Sequence, residues 1–333
     1  MPEITTPDVK EYLFQAVGRE VDLTTIRRDL LIRPEDKSWE GLRTIMHRLT
    51  EAKIVKPSGK KDGVYYVIPP VRPIRVFTPD RKRKPPIELR YPRDFDTMEE
   101  FPFADNVVIR EGDCILIAGQ SNFGKTALAL NFAGENIDSY PVLLGNEYSK
   151  DDEPTPRFLN RLDAMDWVKW VNGDGSEKFT LLPVYSDWAD WVVKNKINII
   201  DWVNIDANSL YYISKVMDDI KRAVGNGIAI IVIQKGEGEM GRGGQFTKDF
   251  ADLELLIDKH SDWESRITIG KVKEYTGKVI GRSWAFTIDK GVKLLNIREV
   301  VKCPSCFGKG WKRAGQTSKP CEACNKSGWV DRA

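Results

Sequence analysis

The chain has 333 residues, of which 41% are hydrophobic, 30% charged and 10% aromatic, and its formal net charge is +2. This length suits two or three domains, and this composition excludes a fibrous or wholly disordered protein. No apolar run approaches the roughly 18 residues that a membrane span needs, and no secretory signal is recognisable, so we expect no membrane partner.

Changes in composition divide the chain into four segments. The first combines apolar residues at helical spacing with a final hairpin, and the second is rich in proline and arginine. In the third, short continuous apolar runs alternate with helical stretches, which indicates an α/β domain with a doubly wound, mostly parallel sheet. The last is too short for its own hydrophobic core. The predicted segments are 1–70, 71–94, 95–298 and 299–333.

The first segment resembles a winged helix-turn-helix, because three predicted helices precede a hairpin with a basic tip. Its third helix would present Arg43, His47 and Arg48 to a DNA major groove. Lys60 and Lys61 on the wing would contact backbone phosphates. A protein-contact module, or a basic face that is merely solvated, is the alternative.

One motif in the third segment indicates a phosphate-binding loop. It fits G-x-x-x-x-G-K-S/T and stands between a predicted strand and a predicted helix, which is the context that such a loop requires. Backbone N–H groups and the start of the helix would bind the phosphates of ATP. Lys125 would reach the β- and γ-phosphates, and Thr126 would ligate Mg²⁺. The predicted nucleotide-binding residues are Gly119, Gln120, Ser121, Asn122, Phe123, Gly124, Lys125, Thr126 and Ala127.

Three polar side chains at the ends of later apolar runs complete the predicted ATPase site. Asp201 ends the run 197–200 and would be the second magnesium ligand. Glu147 follows another run and could polarise the attacking water, although it could also be an ordinary surface residue. Gln234 could sense the γ-phosphate, or it could simply cap a strand end.

This series of motifs resembles the RecA/DnaB superfamily over 95–298, and most closely its hexameric DnaB- and RepA-like replicative helicase branch. The resemblance implies a RecA-like P-loop core that hydrolyses ATP between subunits of a ring or filament on single-stranded DNA. Lys271 and Lys273 match the family's basic pair that reaches the neighbouring subunit's nucleotide. The cation that acts there, called the finger, is usually arginine in the family, whereas Lys273 stands at that position here. Arg282 is the alternative candidate for the finger. Arg242 lies in a glycine-rich segment that resembles the DNA-facing loop. A solvated face for the lysines, and a plain surface loop around Arg242, are the alternatives.

The last segment carries two Cys-x-x-Cys pairs, Cys303 with Cys306 and Cys321 with Cys324, separated by fourteen residues. Four thiolates at this spacing satisfy tetrahedral Zn²⁺. The glycines that follow them resemble the zinc modules of DnaJ-type proteins. Neighbouring lysines and tryptophans suit contact with nucleic acid, and docking to a protein is the alternative. Reduced cysteines predict a cytoplasmic protein, in the host cytoplasm if the chain is phage-encoded.

These features together predict a DNA-dependent ATPase of DNA replication that uses ATP, Mg²⁺ and Zn²⁺. A helicase-like or replication-initiation motor that assembles as a homo-oligomer is the main hypothesis. A recombinase-like filament former and a nucleotide-gated DNA-binding regulator that does not unwind DNA are the alternatives. DNA would be single-stranded in the ring or filament and duplex at the winged helix.

Overall fold

The computed structural model describes residues 4–33, 37–70, 73, 76–77, 85, 87–151, 153–204, 212–235, 244–314 and 317–332. The chain divides into two compact units, Met1–Arg83 and Lys84–Ala333. Within these described ranges, every helix is too short or too polar to cross a membrane.

The described part of the first unit contains three helices and a three-stranded antiparallel sheet of order β1-β3-β2. Its elements are α1 (Thr6–Phe14), β1 (Glu20–Asp22), α2 (Leu23–Asp29), α3 (Lys37–Glu51), β2 (Val55–Pro57) and β3 (Val64–Val67). The side chain of Asp22 caps α2 by accepting a hydrogen bond from the backbone N–H of Thr24 at 2.7 Å. The apolar stripe of α3, which includes Leu42 and Met46, packs against Leu13 of α1. This packing leaves the opposite face of α3 in solvent.

The second unit is a mixed α/β fold. Its described helices are α4 (Lys125–Glu135), α5 (Pro156–Ala164), α6 (Trp188–Trp191), α7 (Ile213–Ala223) and α8 (Gln245–Phe250). Its described strands are β4 (Cys114–Gly119), β5 (Val142–Gly145), β6 (Ser149–Lys150), β7 (Glu153–Pro154), β8 (Thr180–Leu182), β9 (Ile197–Asp201), β10 (Ile228–Gln234), β11 (Leu253–Lys259), β12 (Glu264–Val272), β13 (Ser283–Asp289), β14 (Lys293–Lys302), β15 (Trp311–Ala314), β16 (Thr317–Pro320) and β17 (Trp329–Asp331).

Among the described residues, one sheet of ten strands organises this unit, in the order β17-β14-β13-β12-β11-β4-β10-β9-β5-β8. The six strands from β11 to β8 run parallel to one another. β12 pairs antiparallel with β11, and the sheet continues through β13, β14 and β17 in antiparallel pairs. The prediction of a mixed α/β domain with a mostly parallel sheet is therefore confirmed. The antiparallel extension was not predicted.

Helices cover both faces of the parallel half of the sheet. Ile115 and Ile117 of β4 pack on the face that contains Phe132 of α4. The alternate residue Leu116 packs on the other face, with Met217 of α7. Burial on both faces explains why β4 and β10 are continuous apolar runs in the sequence.

Two features depart from the expected segment boundaries. Leu89 and Tyr91, expected in an extended linker, are buried, and the ring of Tyr91 lies edge-on to that of Phe103 with 5.4 Å between centroids. Apolar side chains at alternate positions from 87 to 91 form one buried face, a pattern that the surrounding prolines and arginines obscure in the composition. At the other end, β14 runs through position 298 without interruption, and β17 pairs with its last residues.

Candidate functional site

The carboxyl ends of four neighbouring parallel strands bring the predicted ATPase residues together. In the strand register, Gln234 of β10 lies opposite Gly119 of β4, and Asp201 of β9 lies opposite Gly145 of β5. Glu147 follows β5 by two residues. Ligands of open α/β sheets bind at this edge, because the loops and side chains that follow the strands converge there.

These ends surround a cavity of about 490 Å³, within the usual range for small-molecule sites. Glu147, Asp201 and Gln234 all line it. Six of the nine predicted loop residues also line it, namely Ser121, Asn122, Gly124, Lys125, Thr126 and Ala127. Gly119, Gln120 and Phe123 do not belong to the lining.

Two glycines give the loop its close-packed form. Gly124 has a φ of +94°, which L side chains rarely adopt, and a Cβ there would collide with the side chain of Ile288. A Cβ on Gly119 would lie 2.9 Å from the Cβ of Ile257 on the neighbouring strand. α4 begins directly after Gly124, so its positive end points toward the loop. The amino group of Lys125 donates to the carbonyl oxygen of Gln120 at 2.8 Å, across the same loop.

A buried carboxylate lies beneath the loop. Asp201 is 3% exposed, and its Oδ2 accepts a hydrogen bond from the hydroxyl of Tyr148 at 2.7 Å. The hydroxyl of Thr126 also donates to it. Burial raises the pKa of Asp201, whereas the hydrogen bonds from Tyr148 and Thr126 oppose that rise. A hydroxyl and a carboxylate in contact are oxygen ligands of the type that Mg²⁺ prefers, so Thr126 and Asp201 fit a magnesium site.

Lys125, Glu147 and Gln234 occupy the remaining walls of the cavity. Burial lowers the pKa of Lys125, while the charges of Asp201 and Glu147 favour its protonated form. The carboxylate of Glu147 is exposed to the cavity. The side-chain amide of Gln234 donates to the hydroxyl of Ser121 at 3.1 Å, which couples the end of β10 to the phosphate loop.

Two arginines that were not predicted as site residues also line the cavity. Arg157 and Arg161 project from α5, which begins at the N-cap residue Thr155. The guanidinium of Arg161 lies close to the turn that precedes β14, since a Cβ built on Gly291 would be only 3.5 Å from its Nε. The sequence signal was present, since two arginines four residues apart share one face of a helix. They add positive charge to a cavity that already contains Lys125.

Lys271 and Lys273, expected to act on a neighbouring subunit, lie at the opposite edge of the sheet. The backbone N–H of Lys273 donates a hydrogen bond to the carbonyl oxygen of Asp252. The backbone N–H of Asp252 in turn donates to the carbonyl oxygen of Cys114, the first residue of β4. The phosphate loop follows Gly119, five residues further along β4, which is about 16 Å away. Neither lysine belongs to the lining of the cavity beside the loop.

All three expected finger residues already have partners. Lys273 lies 2.6 Å from Oδ1 of Asp252, and Lys271 donates to two carbonyl oxygens near the end of α8 at 2.7 and 3.0 Å. Arg282 makes two hydrogen bonds to Glu299, at 2.8 and 2.6 Å, where β13 begins and β14 ends. The hydrogen bond with Asp252 raises the pKa of Lys273, and that with Glu299 raises the pKa of Arg282.

The four paired cysteines form one buried cluster whose Sγ atoms all lie within 4.8 Å of one another. Sγ of Cys303 is 3.9 Å from that of Cys321, and Sγ of Cys306 is 3.6 Å from that of Cys324. A tetrahedral zinc with Zn–S bonds of about 2.3 Å requires S–S separations of about 3.8 Å. These separations exceed the S–S bond length of a disulfide, about 2.05 Å. The backbone N–H of Gly310 donates to Sγ of Cys306 at 3.2 Å, as expected around a metal thiolate. The cluster therefore fits a structural zinc ion.

The predicted DNA-binding residues of the first unit are all exposed. Arg43, His47 and Arg48 lie on the face of α3 that points away from its core. Nζ of Lys60 is 3.0 Å from a carboxylate oxygen of Glu20, and Nζ of Lys61 is 3.9 Å from a carboxylate oxygen of Asp22. The predicted DNA contact at Arg242 falls outside the described residues, so it stays a prediction.

No protein-family model matches this chain, and no curated protein is significantly similar to it. The residues and geometry of the chain itself therefore carry its functional interpretation.

Proposed function

We propose that this chain is a DNA-dependent ATPase with a RecA-like core, which acts in DNA replication as a helicase-like or replication-initiation motor. The observation that carries this proposal is the convergence of the phosphate loop with Glu147, Asp201 and Gln234 on one cavity. These residues are far apart in sequence, and each comes from the end of a different parallel strand. A loop that bound nothing would not need acidic and amide side chains aimed at the same space.

In this proposal each polar group has one role in phosphoryl transfer. Lys125 and the loop N–H groups hold the phosphates, and Glu147 orients and polarises the attacking water. Gln234 contacts the γ-phosphate and is linked to the loop through Ser121. Thr126 and Asp201 hold Mg²⁺, which neutralises phosphate charge when bound.

The location of the finger residues supports a homo-oligomer. Lys273 lies about 16 Å along the strands from the loop of its own chain, which is beyond the reach of a lysine side chain. The amino group of Lys271 is held by the carbonyl oxygens of Lys248 and Asp249. The two finger lysines could act on a nucleotide only across an interface with another copy. Hydrolysis between subunits of a ring or filament is therefore part of the proposal.

A second function, the nucleotide-gated regulator, is favoured by one observation. Lys273 and Arg282 are both engaged with carboxylates of their own chain. If these ion pairs persist in the assembly, neither residue supplies a finger, and hydrolysis would be slow. Such a protein would bind DNA under nucleotide control without unwinding it.

ATP turnover by the full chain with Mg²⁺, measured with and without single-stranded DNA, tests the proposal. We expect turnover that DNA stimulates. Lys125→Ala should abolish it, because that variant loses the mobile cation of the loop, while Lys169→Ala, an exposed lysine beyond α5, should match the wild type. Absence of turnover in the wild type, or retained turnover in a folded Lys125→Ala variant, would overturn the assignment.

A strand-displacement assay then separates the two functions. Displacement of an annealed strand favours the motor, whereas tight duplex binding without displacement favours the regulator. Electron micrographs that show open filaments without closed rings, together with no strand displacement, would instead favour the recombinase-like alternative.

A further inference from the structure

A second cleft, of about 510 Å³, lies where β13 begins and β14 ends, beside the cysteine cluster. Four cationic side chains line it, namely Lys278, Arg282, Lys302 and Arg332. Glu299 is the one carboxylate in its lining. We refer to it as the cationic cleft. It is separate from the nucleotide cavity and shares no lining residue with it.

The positive charge of the cationic cleft is only partly neutralised. Arg282 and Arg332 both pair with Glu299, so two cations share a single carboxylate. Lys278 and Lys302 are exposed, and within the described residues neither makes an ion pair. With four cations and one carboxylate, the lining carries a net charge of about +3, and a cleft with an excess of positive charge concentrates anions.

Aromatic side chains continue from the cleft onto the zinc ribbon. Trp329 lines the cleft and is held by Arg266, whose guanidinium carbon lies 3.9 Å from the ring centroid. Beyond Lys302 the ribbon exposes Phe307 and Trp311, which are 81% and 48% exposed. The ribbon also carries five exposed cations, namely Lys309, Lys312, Arg313, Lys319 and Lys326. Nζ of Lys326 lies 5.8 Å from the ring centroid of Trp311.

The cleft and the ribbon form one continuous surface. A Cβ on Gly308 would lie 3.2 Å from Cδ of Lys302, so the stem of this lysine rests on the turn between the first cysteine pair and β15. β17 joins the same region to β14 through the pairing of Lys302 with Trp329. A ligand that occupies the cleft beside Lys302 therefore lies next to the turn that carries Phe307.

We propose that the cationic cleft and the adjoining face of the zinc ribbon bind single-stranded nucleic acid. Phosphates occupy the cleft beside Lys278 and Lys302, and unpaired bases stack on Trp311 and Phe307. Alternation of cations with exposed aromatic rings suits a strand whose bases are accessible, because duplex bases are already stacked on one another. An acidic protein segment would use the cations but would leave the rings uncovered. This site goes beyond the proposed ATPase, since binding there requires neither ATP nor hydrolysis.

Fluorescence anisotropy of a labelled oligothymidylate, titrated with the zinc-loaded full chain without nucleotide, tests this site. The charge-deficient variant is Lys278→Ala with Lys302→Ala, and its matched control is Lys169→Ala with Lys194→Ala, two exposed lysines outside the cleft. Losing two phosphate contacts should reduce the slope of log affinity against log salt by about 1.4. The control should keep the wild-type slope. Zinc content and far-ultraviolet circular dichroism verify that each variant is folded.

A second pair of variants tests base stacking separately from charge. Trp311→Ala should weaken binding roughly 5- to 100-fold, as expected for one lost base–aromatic stack, with an unchanged salt slope. Tyr185→Ala, which removes an aromatic side chain that is 62% exposed and lies away from the ribbon, should bind as the wild type does.

The outcomes distinguish this site from the ATPase. Unchanged affinity and salt slope in the charge-deficient variant would overturn the site, whatever the turnover of ATP. Polyglutamate that competes as well as the oligonucleotide would also overturn it, because the ligand would then be any polyanion. A wild type that binds the oligonucleotide as expected but does not hydrolyse ATP would refute the ATPase and leave the cleft standing.

Discussion

The hydrogen bond from Tyr148 to Asp201 should control the pH at which the nucleotide site works. Tyr148→Phe removes only the hydroxyl, since the ring stays packed on Phe158 with 4.8 Å between centroids. A hydrogen bond to a charged group contributes about 1.5–3 kcal/mol. A free energy of about 1.36 kcal/mol is a tenfold change in an ionisation equilibrium, so the loss should favour the protonated form of Asp201 roughly 10- to 150-fold and raise its pKa. The acid limb of kcat/KM, which reports the enzyme before Mg²⁺ and nucleotide bind, should therefore move to higher pH.

The sign follows from which form the hydroxyl stabilises. Tyr148 donates to Asp201, so it favours the ionised carboxylate, and removing it favours the protonated one. Burial already raises the folded-state pKa above the unfolded value. Between these two values the folded chain holds a proton that the unfolded chain lacks, so stability falls as pH rises through that window. Tyr148→Phe raises the folded-state pKa of Asp201 further, so this window extends to higher pH. The loss of unfolding free energy relative to the wild type should therefore be largest at pH values above the folded-state pKa of Asp201 in the variant.

Two measurements check this prediction. Steady-state turnover against pH locates the acid limb, and urea unfolding against pH reports the stability deficit without reference to activity. Tyr140→Phe is the matched control, because its exposed hydroxyl bonds the neutral amide of Asn172 at 3.2 Å and should shift neither profile. Coincident acid limbs in the variant and the wild type, with a stability deficit independent of pH, would refute the reasoning.

Three further predictions concern other parts of the second unit. Glu147→Gln should bind ATP normally but hydrolyse it roughly 10²–10⁴-fold more slowly, because it loses the charge that polarises water; unchanged turnover would place the base elsewhere. Arg161→Ala should weaken nucleotide binding in a titration with fluorescent ATP, because it removes a cation from the cavity wall, and Arg161→Lys should restore part of the affinity. Equal affinity in all three proteins would show that Arg161 does not face the phosphates. Cys303→Ser with Cys306→Ser should remove one zinc per chain and abolish hydrogen-exchange protection in β15 and β16, while protection in β4 persists; freshly purified wild type without zinc would contradict the metal assignment.

Local signals in the sequence identified the parts of the site that a short segment encodes by itself. The phosphate loop requires glycine at a position with positive φ and a lysine beside it, and both requirements are visible in eight residues. The parallel strands that end at Asp201 and Gln234 were also visible, because burial on both faces leaves uninterrupted apolar runs.

Contacts between distant segments were not accessible in the same way. Nothing near Lys273 in sequence indicates that its amino group would pair with Asp252, because that contact depends on the register between β11 and β12. The hydroxyl of Tyr148 reaches Asp201 only because β5 and β9 are neighbours in the sheet. The burial of Tyr91 was hidden by the prolines around it. In each case the decisive partner is set by tertiary packing rather than by local preference.

The strand β14 links the two ends of the second unit mechanically. The turn before it contributes Gly291 to the nucleotide cavity, and its last residues contribute Glu299 and Lys302 to the cationic cleft. Its ten residues span at most roughly 30 Å, and its pairing with β13 is irregular near Asn296, whose φ is +55°. β13 pairs with it on both sides of this irregularity, and β17 pairs with its last three residues. Backbone hydrogen bonds therefore join the ribbon to the same sheet whose strand ends line the first cavity, so a nucleic-acid strand bound at the cationic cleft, as proposed above, would be attached to that sheet.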